Sequence, residues 1–239
     1  MDGGGNIQLT VEPIDVYTPN VFSKIKLLGK EFTYTVDRSA VGCACNSAVY
    51  LVAMPGYNAD QKLETSEWGN YYCDAAGVPG VFCPEMDISE ANRFTMASVP
   101  HRCNAPDGKY YDYCHHAGCG TNIGNLSEDE MCPYSYCTID TTKPYTHGTA
   151  FETDSSGFLS GIKNTLTQED RSYSFYTCGD SGYLLDMTKY LEDNMTLIFS
   201  QWGGERDTMS WLDGMTGCDE DCALDQAISI FSDVKLKTI

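Results

Sequence analysis

The stretch VFCPEMDISEAN, residues 81–92, places three carboxylates, Glu85, Asp87 and Glu90, within six positions. If the stretch is a strand, Glu85 and Asp87 point to one face and Glu90 to the other, because side chains alternate along a strand. One extra residue between Asp87 and Glu90, a β-bulge, would bring all of them onto the same face. The stretch therefore predicts either a bulged strand that gathers its carboxylates or an acidic loop in solvent.

Carboxylates gathered on one face repel one another, so at least one keeps its proton at a pH where an isolated glutamate is ionised. The result is an acid beside a base. Retaining glycoside hydrolysis needs this combination, with an attacking carboxylate and a protonated acid about 5 to 5.5 Å apart. A solvated acidic loop is the alternative, because the chain holds 34 Asp and Glu residues. Spacing alone leaves both interpretations open.

The hydrophobic pattern outside this stretch mostly has a period of two residues, which is typical of strands. In KEFTYTVDRS, residues 30–39, Phe32, Tyr34 and Val36 alternate with polar residues. Further strands are predicted in SAVYLVAM (47–54), NMTLIFSQW (194–202), TMSWLDG (208–214) and AISIFSDVKLKTI (227–239). In the last of these, the residues expected to face the core are Ile228, Ile230 and, after a shift of register, Val234 and Leu236.

Helical spacing is found in LDMTKYLEDN, residues 185–194, through Leu185, Met187, Tyr190 and Leu191. Loops rich in Gly, Pro, Asn, Asp and Cys separate the predicted strands, especially at residues 55–80 and 100–140. The pattern predicts an all-β antiparallel sandwich with long disulfide-held loops and one short helix. No domain boundary stands out, so residues 1–239 are expected to form a single domain.

Charge narrows the class of partner. The formal net charge is -19, from 34 acidic and 15 basic residues. Such a chain repels phosphate backbones and anionic lipid headgroups, so nucleic acid and membrane surfaces are excluded as partners and a neutral partner is favoured. No apolar run is long enough to span a bilayer.

The chain has twelve cysteines, an even number scattered along its length, which favours disulfides formed in an oxidising compartment. A zinc site is disfavoured because the close pairs have irregular ligand spacing: Cys43 with Cys45, Cys218 with Cys222, and His115 with His116. The start, MDGGGNIQL, lacks the features of a signal peptide and is interpreted as a mature or truncated end. Sequons at Asn125 and Asn194 are compatible with a secretory route.

Several segments carry a family resemblance. EMDISEAN (85–92) resembles glycoside hydrolase family 7 in order and spacing, together with LLGKEFTYTVD (27–37), CNSAVYLVAM (45–54), PHRC (100–103), IDTTKPYT (139–146), FSQW (199–202) and SWLDG (210–214). The resemblance covers the chain from about Leu27 to Ile239, and the family's N-terminal stretch has no counterpart. It implies a concanavalin-like jelly roll that acts as a secreted, extracellular, monomeric cellulase on cellulose or soluble β-glucan chains, without metal or other cofactor.

The resemblance also implies roles for individual residues. Glu85 matches the nucleophile, Glu90 the acid/base, and Asp87 the residue that hydrogen-bonds the nucleophile. The matches to sugar-contacting or cleft-lining positions are Asn46, Tyr50, Asp74 and His101. Trp202 and Trp211 match aromatic platforms, expected on adjacent strands, on which the apolar faces of glucose rings stack. Buried core tryptophans are the alternative.

Disulfide pairings follow in part from the same resemblance. It implies the pairs Cys43–Cys218, Cys73–Cys83, Cys103–Cys114 and Cys119–Cys178. Cys132 and Cys137 remain and are close enough for a local loop. Cys45 and Cys222 are inferred to form a second link beside Cys43–Cys218, because the same two segments run side by side.

Departures from the family pattern bear on the mode of cleavage. The tryptophan usual within the motif is Ser89 here, and Gly203 and Gly204 replace acidic residues. The product-gripping arginines of cellobiohydrolases are absent from HHAGCGTNIGN and DGMTGC, and only nine residues separate Cys73 from Cys83. Short loops favour an open cleft and endo cleavage. The alternatives are an exo-acting cellobiohydrolase, a family 16-like β-1,3 or mixed-linkage glucanase, and a glucan-binding protein without turnover.

Overall fold

The computed structural model describes residues 4–65, 70–78, 80–126, 129–193, 195–214 and 216–239. The strands of this part are β1 Gly5–Gln8, β2 Lys24–Ile25, β3 Lys30–Asp37, β4 Cys45–Val52, β5 Glu85–Ala91, β6 Met96–His101, β7 Thr121–Asn122, β8 Met131–Cys132, β9 Ile139–Asp140, β10 Tyr145–Thr153, β11 Leu159–Gln168, β12 Arg171–Thr177, β13 Met195–Gly203 and β14 Ile230–Thr238. The helices are α1 Ser181–Glu192 and α2 Ser210–Asp213, with 3₁₀ turns at Ile123–Asn125 and Arg206–Met209.

Two antiparallel sheets form the predicted sandwich. The seven-stranded sheet has the order β1-β13-β4-β5-β6-β7, with β2 also paired to β13, and the five-stranded sheet has the order β12-β11-β10-β3-β14. A short parallel pair, β8 with β9, lies beside them. The all-β antiparallel sandwich expected from the sequence is confirmed, and β5, which carries the carboxylate motif, lies in the interior of the larger sheet.

The core lies between the sheets. The alternation in KEFTYTVDRS is confirmed, because Phe32, Tyr34 and Val36 of β3 are buried and the residues between them are only partly buried. The larger sheet contributes Val49, Leu51, Met86, Ile88 and Leu197 to the same core. Because alternate residues of β4 and β5 face this core, the residues between them project from the opposite side of the sheet.

Helix α1 begins earlier than its predicted start at residue 185. The Asp180 side chain accepts hydrogen bonds from the backbone N–H groups of Gly182 and Tyr183, which caps the first turn. Met187 and Leu191 face the core as expected, but Leu185 is exposed and Leu184 is buried. Neither helix in the described ranges has the length and apolar character needed to cross a bilayer. Asn194, the predicted last helical residue and a sequon position, lies outside the described residues.

Two strand predictions near the C-terminus need correction. TMSWLDG is not a strand but contains the end of a 3₁₀ turn and helix α2. In β14, the predicted register shift is present between Ser232 and Lys235. However, the four residues expected to face the core are exposed: Ile228, Ile230, Val234 and Leu236. The physical reason is that β14 is an edge strand, paired only with β3, and Phe231 is its residue that packs against the core.

All six predicted disulfides are present. Cys43–Cys218 and Cys45–Cys222 form the doubled link between the start of β4 and the segment after α2. Cys73–Cys83 closes the loop that precedes β5. This link matters for the site, because it fixes the loop backbone that faces Glu85.

Candidate active site

A β-bulge in β5 gathers the three carboxylates on one face. Opposite β4, Asp87 pairs with Tyr50 but Ser89 pairs with Val49, so Ile88 is the extra residue. The pairing with β6 shifts at the same place, between Asp87 and Glu90. The predicted bulge is therefore confirmed.

The register also identifies the neighbours of the carboxylates. Directly paired residues of antiparallel strands share a face. Glu90 pairs with Ala48 and Glu85 pairs with His101, so these residues lie on the face turned away from the core, here called the cleft face. The acidic-loop alternative is wrong, because β5 is an interior strand and Glu85 and Asp87 are buried.

Glu85 is held by the loop that precedes its strand. Its Oε2 accepts a hydrogen bond of 2.9 Å from the backbone N–H of Ala75. The loop is fixed by the Cys73–Cys83 disulfide and by a hydrogen bond from the Cys83 N–H to the Asp74 carbonyl. The N–H donor lowers the pKa of Glu85 toward the ionised form that can attack carbon, but this effect is smaller than that of burial, which raises the pKa.

His101 contacts Asp87 through one ring nitrogen and a backbone carbonyl through the other. His101 Nδ1 lies 3.0 Å from the carbonyl oxygen of His115, which can only accept, so Nδ1 carries a hydrogen. His101 Nε2 lies 2.9 Å from Asp87 Oδ2. That contact therefore joins either an imidazolium to a carboxylate or a protonated Asp87 to a neutral imidazole. In both states a proton is held beside Glu85.

Glu90 is oriented by Asn46. The Asn46 Nδ2 donates to Glu90 Oε1 at 2.8 Å, and the Asn46 Oδ1 accepts from the backbone N–H of Ala91 at 3.0 Å. Asn46 is fully buried, whereas Glu90 is partly exposed. The amide thus fixes the carboxyl group of Glu90 while leaving it accessible from the cleft face.

Burial raises the pKa of each carboxyl group. For Glu85 the pKa lies well above its usual range because of burial, and the charge of Asp87 adds to the shift. The pKa of Asp87 is also raised well above its usual range, by burial and then by the charge of Glu90. Burial raises the pKa of Glu90, while His101 and the Asn46 hydrogen bond oppose this rise. The group therefore retains more protons at neutral pH than isolated carboxyls would.

Tyr50 and Asp74 lie on the same side as Glu85. The Tyr50 hydroxyl is 3.1 Å from the Tyr72 hydroxyl and accepts from Asn6 Nδ2 at 3.1 Å. Asp74 accepts from the backbone N–H of Val78 at 3.0 Å, and its charge contributes to the raised pKa of Glu85. Both predicted positions are therefore brought near the nucleophile candidate.

Trp202 and Trp211 stack on each other, with ring centroids 6.2 Å apart and planes at 25°. They are 42% and 45% exposed, so neither is a core tryptophan. Trp202 pairs with Asn46 across β13 and β4, which places it on the cleft face. The expectation of adjacent strands is wrong for Trp211, which lies in α2. The two exposed rings, here called the aromatic surface, lie against each other instead of apart.

Sequence reasoning missed several contacts of the site. Ala75 and His115 act through backbone atoms, which no side-chain motif can indicate. Tyr72 lies two positions before Asp74, a predicted site residue, so its place in the sequence could have identified it as a site residue. Asn6 lies in the stretch without a family match. Within the described ranges, no group of three or more His, Cys, Asp or Glu side chains is arranged to hold a metal ion.

Comparisons with known proteins identify the family of the chain. The family model of glycosyl hydrolase family 7 matches residues 17–80 and 75–179. Endoglucanase EG-1 of Hypocrea jecorina is 32% identical over 219 residues, covering 79% of this chain and 46% of that protein. A probable endo-beta-1,4-glucanase, celB of Neosartorya fischeri, is 31% identical over 232 residues, covering 80% of this chain and 56% of that protein. The chain thus spans about half the length of the curated relatives it matches.

Solved structures share the fold. The Humicola insolens endocellulase EGI aligns with a TM-score of 0.73 and 23% identity, covering 90% of this chain and 69% of that chain. A cellobiohydrolase from Daphnia pulex aligns with a TM-score of 0.72 and 20% identity, covering 100% of this chain and 80% of that chain.

Proposed function

The chain belongs to glycosyl hydrolase family 7, and on this basis we propose that it hydrolyses β-1,4-glucosidic bonds in cellulose or related β-glucans with retained anomeric configuration. The observation that carries the proposal is the bulge in β5, which places Glu85, Asp87 and Glu90 together on the cleft face. Neutral glucan also suits a chain whose net charge of -19 disfavours anionic partners.

The reaction has two steps. In the first, a carboxylate oxygen of Glu85 attacks the anomeric carbon while Glu90 gives its proton to the glycosidic oxygen, so that bond breaks and a glycosyl ester forms. In the second, the Glu90 carboxylate takes a proton from water, whose oxygen attacks the anomeric carbon and releases Glu85. Asp87 hydrogen-bonds Glu85 and adjusts its charge, while Asp87 Oδ2 contacts His101 Nε2.

The remaining predicted site residues would hold the sugar chain. The aromatic surface of Trp202 and Trp211 suits the apolar face of a glucose ring. Hydroxyl groups of the sugar nearest Glu85 would meet Tyr50 and Asp74, whose polar atoms lie on that side. Asn46 hydrogen-bonds Glu90, and His101 contacts Asp87. We propose that both residues also contact the sugar.

Cleavage within the chain is favoured over release from an end. The matched curated relatives are named endoglucanases. The exposed tryptophan pair and the short loop between Cys73 and Cys83 suit an open cleft. An exo-acting cellobiohydrolase needs long covering loops. We further propose that the protein is secreted, because six disulfides suit an oxidising compartment. The family resemblance leads us to propose also that the chain is a single catalytic domain and a monomer.

The direct test is a reducing-end assay on soluble carboxymethyl cellulose with the wild type and Glu85→Gln. The wild type should release reducing ends while viscosity falls early, as cuts within the chain require. Glu85→Gln should lose at least about 1000-fold in kcat, because the amide cannot form the glycosyl ester.

Equal background from both proteins would reject catalysis. Calorimetry with cello-oligosaccharides then distinguishes the remaining possibility, a glucan-binding protein without turnover. Cleavage confined to β-1,3 or mixed-linkage glucan would instead favour the family 16-like specificity.

A further inference from the structure

A charged side chain is buried on the other side of the catalytic strand. Arg38 is fully buried, directly after β3. Its guanidinium donates to Ser89 Oγ at 2.6 Å, to the Tyr145 hydroxyl at 2.8 Å and to Ser47 Oγ at 3.3 Å. It also lies 5.7 Å from the ring centre of Phe231. Every one of these partners is neutral.

Burying a charge without an opposite charge is unfavourable unless hydrogen bonds replace the lost water. No ion pair among the described residues involves Arg38. Burial lowers the pKa of Arg38, but the contacts with Tyr145 and Tyr34 outweigh it, so the net shift is upward and the guanidinium stays charged. Burying this charge is unfavourable, and Arg38 lies on the core face of the sheet, opposite the carboxylates. We therefore considered a role for Arg38 other than packing.

The contacts of Arg38 join the two strands that form the bulge. Ser47 belongs to β4 and Ser89 to β5, and Ser89 is the residue that directly follows the inserted Ile88. The Ser89 hydroxyl is held a second time, 3.0 Å from the Tyr34 hydroxyl. Ser89 stands where the motif of family 7 usually has tryptophan, whose side chain offers no acceptor oxygen.

The cleft face carries a matching link between the same strands. Asn46, the neighbour of Ser47, donates to Glu90, the neighbour of Ser89. Adjacent residues are thus tied across β4 and β5 on both faces of the sheet. If Ser89 moved, the backbone would rotate Glu90 away from Asn46, because consecutive side chains of a strand turn together.

We propose that Arg38 is a positioning residue, whose hydrogen bonds to Ser47 and Ser89 fix the bulge that aims Glu90 at the glycosidic oxygen. This inference rests on the proposed function for its effect on turnover, but its effect on Glu90 itself does not depend on substrate. Small displacements of an acid/base reduce kcat far more than they reduce substrate binding.

The test compares Ser89→Ala with Tyr145→Phe in the full chain. Both remove one hydrogen bond from the same guanidinium, so both lower stability, but no hydrogen bond in the described part of the chain joins the Tyr145 side chain to β5. Ser89→Ala should lower kcat about 10- to 100-fold with KM within about twofold of wild type, because Glu90 is misplaced. Tyr145→Phe should keep kcat within about twofold. Unchanged kcat in Ser89→Ala, or equal losses in both variants, would overturn the proposal.

A carboxyl titration by ¹³C NMR provides a readout that needs no turnover. The groups that face Glu90 are Asn46 from β4, His101 from β6 and Asp87 within β5. Loss of the Asn46 hydrogen bond should raise the pKa of Glu90 in Ser89→Ala and leave it unchanged in Tyr145→Phe. A Glu90 titration identical in wild type and Ser89→Ala would count against the role of Arg38, even if the chain showed no glucanase activity.

Ser47→Ala keeps the test possible if Ser89→Ala does not fold, because it removes the hydrogen bond from Arg38 to β4 and leaves both hydrogen bonds at Ser89 in place. It should lower kcat about 3- to 10-fold. A Ser47→Ala protein with wild-type kcat and a wild-type Glu90 titration would refute the proposal. Absence of turnover in the wild type alone would refute the proposed function instead.

Discussion

Strand β5 carries three carboxyl groups on its cleft face and, on its core face, a serine bound to a buried arginine. On the cleft face, burial raises the pKa values of Glu85, Asp87 and Glu90, so the charge is relieved by proton uptake. On the core face, Arg38 keeps its charge and is satisfied by the hydroxyls of serine and tyrosine.

The difference follows from the chemistry of the groups. A carboxyl group can become neutral at modest cost, so a cluster of them can exchange protons during a reaction. A guanidinium cannot lose its proton in a protein, so it must be given hydrogen-bond acceptors. On the cleft face of β5 the charge of the carboxyl groups can therefore change by proton uptake, whereas on the core face the charge of Arg38 cannot change. The bulge contributes residues to both faces.

The largest effect on kcat should come from replacing a carboxyl group on the cleft face. Glu90→Gln removes the proton donor and should lower kcat on cello-oligosaccharides by about 10² to 10⁴-fold, because general acid–base catalysis contributes that much. Initial rates and a melting curve on the same preparation check this. A variant that stays folded and retains more than a tenth of the wild-type kcat would show that Glu90 is not the acid.

Removal of the fixed charge should lower stability. Arg38→Met keeps the approximate volume but removes one hydrogen-bond donor from each of the buried hydroxyls of Ser47, Ser89 and Tyr145, which should cost about 1–3 kcal/mol in the free energy of unfolding. Denaturant titration measures it. Lys237→Met is the matched control, because Lys237 is exposed and pairs with Glu31 at the surface, and it should change stability by about 0.5 kcal/mol or less. Equal losses of unfolding free energy in Arg38→Met and Lys237→Met would show that the buried charge contributes no more to stability than a surface charge.

The carboxyl groups of the cleft face should make the free energy of unfolding depend on pH, whereas the permanently charged Arg38 on the core face should not. Glu85 has a raised pKa when folded, so above the unfolded pKa, near 4.3, the folded state binds more protons than the unfolded state. Its contribution is therefore present at low pH and is lost as pH rises toward the folded pKa. Glu85→Gln should flatten the fall in unfolding free energy above about pH 4, by about 1.4 kcal/mol for each unit of pKa shift. A wild-type slope retained in Glu85→Gln would contradict this account.

The smallest effect concerns the aromatic surface on the cleft face. Trp202→Ala and Trp211→Ala should each weaken cello-oligosaccharide binding, and their effects should be non-additive by about 0.5–1.5 kcal/mol, because the rings stack on each other. Calorimetry on both single variants and the double variant measures the coupling. Strict additivity would mean that the rings act as independent platforms.

The sequence predicted the parts of the fold that follow from local alternation and from the motif. The pattern of β3, the bulge in β5 and all six disulfides are confirmed. The C-terminal strand is correctly predicted as a strand, but the predicted burial of Ile228, Ile230, Val234 and Leu236 is wrong. An alternating pattern gives the face of a strand without saying whether the strand lies at an edge, and β14 lies at one.

Other parts of the site depend on contacts far apart in the sequence. Helix α2 was mistaken for a strand because the four residues Ser210–Asp213 are too short for a helical period to be visible. Arg38 and Ser89 are separated by 51 positions, and neither residue alone indicates a link. The contact of His101 with Asp87 also depends on a distant segment, because the backbone carbonyl of His115 orients the His101 ring.

The central claim is that one bulge aims Glu85 and Glu90 at the same glycosidic bond so that hydrolysis proceeds by double displacement. The most direct measurement is ¹H NMR of the first anomer released from a cello-oligosaccharide, recorded before mutarotation. We expect the β-anomer to form first, because two inversions at the anomeric carbon restore its configuration. Initial release of the α-anomer would mean that water attacks directly, and it would contradict the assignment of Glu85 as the nucleophile.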